Sequence, residues 1–132
     1  MNHLTSQQVK NMLLRAEEKA AEINVFASIC IVDAGGHLLG FSRMDNAAPG
    51  PVEVSQRKAV TSALFRRESG AFGKVARERP LTGIELSNGG LALFNGGLPI
   101  SCQGIALGGI GVAGGTADED LEIARYALEV LG

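Results

Sequence analysis

The feature that most constrains this 132-residue chain is where its glycine falls. Eleven of its 18 glycines lie between Gly83 and Gly115. They are interleaved with Leu, Ile, Val and Phe, so the segment is not a flexible linker. Glycine inside strand-like sequence marks bulges, tight turns or the close approach of another backbone. The densest part is Gly108-Gly109-Ile110-Gly111-Val112-Ala113-Gly114-Gly115-Thr116, and it contains Gly109-x-Gly111-x-x-Gly114. That is the spacing of a dinucleotide-binding turn. Such a site needs a βαβ unit of about 30 residues and an acid about 20 residues beyond the motif. Only 18 residues follow Gly114, and one helix uses them up. The first turn of that helix holds Asp118, Glu119 and Asp120, which favour a helix N-terminus but repel a pyrophosphate there. The glycines therefore belong to a closely packed strand and its exit turn.

The flanking elements follow from capping and periodicity. Thr5 and Gln8 form a capping box, Leu4 and Val9 a hydrophobic staple, and Val9, Met12, Leu13, Ala16, Ala20 and Ile23 one helical face. Residues 25–32 read as a buried strand, 33–37 as a turn and 38–44 as its hairpin partner. Pro49 and Pro51 make a loop, and 52–68 reads as a helix with a small-residue face. A short basic helix, 69–79, ends at Pro80. Strand-like pieces follow at 84–94, 98–107 and 108–114, with turns at Gly96-Gly97 and Gln103-Gly104. Thr116 and Glu119 form a second capping box, and Leu121, Ala124, Ala127, Leu128 and Leu131 mark the last buried face. The expected fold is α+β, in the order α-β-β-α-α-β-β-β-α, an antiparallel sheet flanked by helices. Residues 1–132 are expected to form a single domain.

Apolar residues make up 45% of the chain, enough for a core, and net charge is −2, which gives no global basic surface for nucleic acid. No apolar run reaches about 18 residues, so no membrane span is expected. The N-terminus shows no signal-peptide core, and the protein reads as cytoplasmic. Cys30 and Cys102 each lie in an apolar run and read as reduced thiols. No sequence-local metal site is expected.

Three blocks, read together, carry a resemblance. They are Val-Asp-Ala-Gly-Gly-His-Leu-Leu-Gly-Phe-Ser-Arg-Met-Asp-Asn-Ala (32–47), Glu-Val-Ser-Gln-Arg-Lys-Ala-Val-Thr-Ser-Ala-Leu-Phe (53–65), and the stretch 95–124 with Gly96-Gly97-Leu98-Pro99 and Gly109-Ile110-Gly111-Val112-Ala113-Gly114-Gly115-Thr116. In this order and spacing the chain resembles the GlcG/HbpS-like family, also known as haem-degrading domains. Ala113 departs from the Ser that is common there. The resemblance implies a profilin-like sheet, a homo-oligomer (often an octamer), and a small-ligand site for which haem or a corrinoid is the named candidate.

Several residues are candidates for that site, each with a structural alternative. Arg43, with Asp45 beside it, can grip a carboxylate or fix its loop through a salt bridge to Asp45 or Glu53. A buried Lys58 can act as base or nucleophile, with Glu53 exchanging protons, or it can pair with an acid such as Asp33 or Glu53. Asn88, beside Gly89-Gly90, lines a pocket or forms a turn. Gly97 and Pro99 lie where backbone N–H groups can receive an oxyanion, or where the chain simply turns. His37 is a candidate axial ligand in a turn, and His3 reads as exposed. Arg66, Arg67, Lys74, Arg77 and Arg79 form either a solvated basic surface or the rim of an anion site. Three functions stay open: a tetrapyrrole-binding module in an oligomer, a cofactor-independent enzyme on a small polar or carboxylated metabolite, and an oligomeric scaffold. A site between the sheet and the second helix is expected.

Overall fold

The computed structural model describes residues 2–131. Its elements are α1 (Ser6–Glu22), β1 (Ser28–Asp33), β2 (Leu38–Arg43), α2 (Gly50–Phe65), α3 (Ser69–Glu78), β3 (Gly97–Cys102), β4 (Ile105–Ala113) and α4 (Ala117–Leu128), with short 3-10 turns at Ile84–Leu86 and Glu129–Leu131. The four strands form one antiparallel sheet in the order β2-β1-β4-β3. The expected α+β class holds.

Both capping boxes form. Thr5 Oγ1 accepts from Gln8 N at 3.1 Å, and Gln8 Oε1 accepts from Thr5 N at 2.8 Å. At α4, Thr116 and Glu119 make the same reciprocal pair. Alternation along the strands then sorts the core into two layers. Ile29, Ile31, Leu98, Ile100, Ile110 and Val112 face α1 and α4, whose Met12, Ala16, Ile123 and Ala127 are buried against them. Cys30 and Val32 face the other way, toward Ala59 and Ala63 of α2.

The glycine spacing now has a cause. Gly109 and Gly111 are two apart, so both lie on the face that carries α2, and Gly97 is paired with Gly111 across the ladder. A Cβ on Gly97 would lie 2.5 Å from Lys58 O, one on Gly111 2.5 Å from Ala59 N, and one on Gly109 2.9 Å from Ala63 N. The three glycines form a bare patch on which the α2 backbone rests. Over these glycines the space between the sheet and α2, in which a ligand site was expected, is closed, and what remains open lies past them at the C-terminal end of α2.

One segment departs from the sequence expectation. Residues 84–94 form a 3-10 turn and irregular chain, not a strand. Asn88, Gly89 and Gly90 all have positive φ (54°, 78° and 109°), which no strand accommodates. Helix side chains meet the segment's backbone groups instead: Ala92 N donates to Thr61 Oγ1 at 3.0 Å, and Phe94 O accepts from Ser69 Oγ at 2.6 Å. The Gln103-Gly104 turn forms as expected, with both φ values positive, and joins β3 to β4. Among the described residues no helix is long and apolar enough to cross a membrane.

Candidate functional site

Among the described residues the most buried charged side chain is Lys58, at 1% exposure. It stands on α2 where α2 crosses Gly97 and Gly111. Its Nζ donates to Val112 O at 2.8 Å and to Asp120 Oδ2 at 3.0 Å, and it lies 4.8 Å from the centre of the Phe94 ring. A Cβ at Gly96 would fall 2.6 Å from Nζ, so the missing side chain opens the lysine's route past the strand ends. Asp120 is equally enclosed, and its Oδ1 accepts from Gly115 N at 2.8 Å. Burial pushes Lys58 below the ordinary lysine range and Asp120 above the ordinary aspartate range. Each partly counters the other's shift through their attraction. The pair ties α2 to the first turn of α4, across the edge of the sheet.

The other candidate residues are dispersed. Glu53 is exposed and holds Arg57 at 3.4 Å. It does not reach Lys58, whose acid is Asp120 and not Asp33 or Glu53. Arg43 uses Nε and Nη2 on Ala47 O, at 3.2 and 2.7 Å, so it fixes its loop through a carbonyl and not through Asp45 or Glu53. Asp45 is exposed next to it. Asn88 is exposed, with Nδ2 donating to Ser87 Oγ at 3.1 Å. Gly97 N is not free for an oxyanion, because it donates to Ser69 Oγ at 2.9 Å. Pro99 is half-buried on β3, opposite Gly109. Of these residues, only Lys58 and Gly97 come together.

His37 lies at the other end of the β1–β2 hairpin from Arg43. Asp33 Oδ1 builds its turn by accepting from Gly35 N and His37 N, both at 2.9 Å. The imidazole rests over Gly35, where a Cβ would meet Cδ2 at 3.2 Å. His37 and His3 line one cleft of about 400 Å³, together with Leu4, Leu39 and Leu107. His3 Nδ1 pairs with Asn2 Oδ1 at 2.8 Å. In the neutral ring, Nδ1 donating in that bond leaves the lone pair on Nε2. His3 reads as exposed in the sequence and is exposed in the structure, as is His37. What sequence reasoning missed is that the buried staple residue Leu4 brings its neighbour His3 to the same cleft as His37. Asp120 was also missed, although it continues the α4 stripe of Ala124 and Ala127 at helical spacing.

Comparison with known proteins agrees with this architecture. The family model described as "Haem degrading protein HbpS-like" matches residues 4–129. Protein GlcG of Escherichia coli strain K12 is 44% identical over 70 residues, covering 52% of this chain and 52% of GlcG, so the match spans about half the length of that relative. A crystal structure of HbpS superposes with a TM-score of 0.92 at 31% identity, covering 100% of this chain and 92% of HbpS. A PduOC structure described as a haem complex superposes with a TM-score of 0.91 at 28% identity, covering 96% and 94%.

Proposed function

We propose that this chain, which belongs to the HbpS-like family of haem-degrading proteins, is a tetrapyrrole-binding domain of a homo-oligomer, with haem as the first candidate ligand and a corrinoid as the second. The observation that carries this reading is that both histidines of the chain open on one cleft walled by Leu4, Leu39 and Leu107. An imidazole beside an apolar wall is a fitting donor for a haem iron. The cleft's size lies in the range of about 300–1,000 Å³ usual for cofactor sites. The residues present therefore fit the group. The family and the haem complex of PduOC support the same ligand class. A bound haem supplies a redox-active iron. The chain's own part is to hold it: His37 and His3 as donors, Asn2 orienting the His3 ring, and the three leucines excluding water.

Self-association is part of the reading. β2 is an edge strand, and it exposes Leu38 (61%) and Leu39 (41%). Such an edge favours pairing with another chain. Leu39 also lines the cleft, so a second copy seated there would deepen its wall.

The test is a haem titration of the purified protein followed by absorbance. A saturable Soret shift is expected at one haem per chain or per two chains, lost in His37→Ala and weakened in His3→Ala. No saturable shift in the wild type would sink the tetrapyrrole reading and return weight to a small-metabolite site. A shift indifferent to both histidines would move the site elsewhere. Light scattering across Leu38→Lys checks the self-association.

A further inference from the structure

We propose a second site, a pocket for a short-chain carboxylate anchored by Arg66. It shares no lining residue with the histidine cleft and does not depend on the tetrapyrrole reading. The pocket, of about 210 Å³, lies between the end of α2 and the β3–β4 hairpin.

The first argument is the backbone of Arg66. It closes α2 in the left-handed conformation, with φ 55° and ψ 41°, its N–H donating to Ser62 O at 2.9 Å. Helices favour glycine or asparagine at such a position, because any larger L-residue is strained there. Arginine therefore brings nothing to this cap except its side chain. Residues held in this strained region cluster at ligand sites.

The second argument is the side chain. Among the described residues the Arg66 guanidinium has no hydrogen bond, ion pair or ring contact. Arg15, Arg43, Arg57, Arg67 and Arg125 each have one. Arg77 and Arg79 are likewise unpaired, but neither lines this pocket.

The third argument is the wall. Ala63, Pro99 and Ala106 supply an apolar lining, and Ser101, opposite Ala106 in the β3–β4 ladder, is the lining residue that carries a hydroxyl. The β3–β4 register shifts between Ile100 and Ser101, and such irregularities recur next to binding sites. A planar guanidinium takes a carboxylate through two parallel bonds, and the apolar lining suits an alkyl tail. Phosphate fits less well, since the pocket offers it only Arg66 and Ser101 as side-chain donors and no use for the apolar wall. The α2 C-terminus opposes an anion with a partial charge of about half a unit, less than the full charge of Arg66.

The test uses butyrate as probe, titrated into the ¹⁵N-labelled full chain at constant ionic strength. Saturable shifts are expected at Ser101 and Gly104 and at Arg66 Nε. Arg66→Gly relieves the strained cap, so it should keep or raise thermal stability while abolishing the response. Arg66→Lys keeps the charge but loses the fork, and should weaken binding roughly tenfold. Ala106→Leu, which fills the pocket, should block it, and His37→Ala should leave it unchanged. The proposal is overturned by no saturable response in the wild type, by a response that survives Arg66→Gly or Ala106→Leu, or by inorganic phosphate producing the same shifts at the same concentrations.

Discussion

Lys58 is the residue on which a catalytic and an architectural reading of this fold divide, and a double-mutant cycle with Asp120 separates them. Lys58→Met keeps the length of the side chain and removes the ammonium. Asp120 then retains Gly115 N as donor but loses its counter-charge at 4% side-chain exposure. Removing one partner of a buried pair costs about 3–5 kcal/mol, because the other charge stays desolvated. Asp120→Leu strands the ammonium on Val112 O and the Phe94 ring, and should also cost about 3 kcal/mol or more. The double variant Lys58→Met/Asp120→Leu leaves no charge behind. It orphans two neutral groups, Val112 O and Gly115 N, at about 1 kcal/mol each. The double variant should therefore cost less than Lys58→Met alone, a coupling of roughly 4 kcal/mol or more between the two positions. Urea unfolding followed by circular dichroism reads this directly, with the slope on denaturant unchanged. Single variants that each cost under about 1 kcal/mol and simply add would refute the reasoning. They would mean that the 84–96 loop opens to water, which would restore Lys58 as an accessible amine.

The same pair fixes a pH dependence. Burial raises Asp120 above its ordinary value of 3.8, and Lys58 counters part of that rise. Between 3.8 and the raised value the native state holds a proton that the unfolded state has lost, so stability from this group falls as pH rises through that window. Lys58→Met removes the counter-effect and widens the window upward. Acidification from neutrality should therefore recover part of what Lys58→Met loses, and should do so more than in the wild type.

Gly111→Ala places a Cβ 2.5 Å from Ala59 N and closer still to Ser55 O, both backbone, so α2 must lift off the sheet. A loss of about 1–3 kcal/mol in urea unfolding is expected, while Gly50→Ala, which meets nothing within 4 Å, is neutral or slightly stabilising. Burial pushes the Cys30 thiol from 9.0 up to about 12, so the native state keeps a proton that the unfolded chain sheds above pH 9. Stability should drop by about 1.4 kcal/mol between neutrality and pH 10 from this group, and Cys30→Ala should flatten that slope. In native protein a thiol reagent at pH 8 should modify the half-buried Cys102 and leave Cys30 untouched until denaturant is added.

What could be read from the sequence was what acts locally. The capping boxes at Thr5 and Thr116 and the two-residue Gln103-Gly104 turn are satisfied within a few residues, so their sequence signals survive folding. The apolar stripe of α1 held for the same reason: Val9, Met12, Ala16 and Ala20 are buried as the period requires. The segment 84–94 misled because its composition resembles a strand, while three consecutive positive φ values and the reach of Thr61 and Ser69 decide its path.

The site residues were harder, because each was judged beside its neighbours in sequence and not in space. Glu53 is near Lys58 along the chain, yet it turns to Arg57 one helical turn on, while the acid that meets Lys58 stands 62 residues away. Asp118, Glu119 and Asp120 looked alike as dipole partners of α4. The period of that helix separates them, since Asp120 lies on the buried stripe at i, i+4, i+7 with Ala124 and Ala127, and Asp118 does not. A buried acid on that stripe implies a buried cation opposite. The lysine set among small residues on α2 was the place to look, because a side chain at Gly96, Gly97 or Gly111 would fall on Lys58 or on the helix backbone beside it. Read this way, the glycine run that imitates a nucleotide-binding turn and the lysine that imitates a catalytic base are two parts of one packing arrangement. Sites open to ligands are then to be sought where that packing ends, at the histidine cleft and at Arg66.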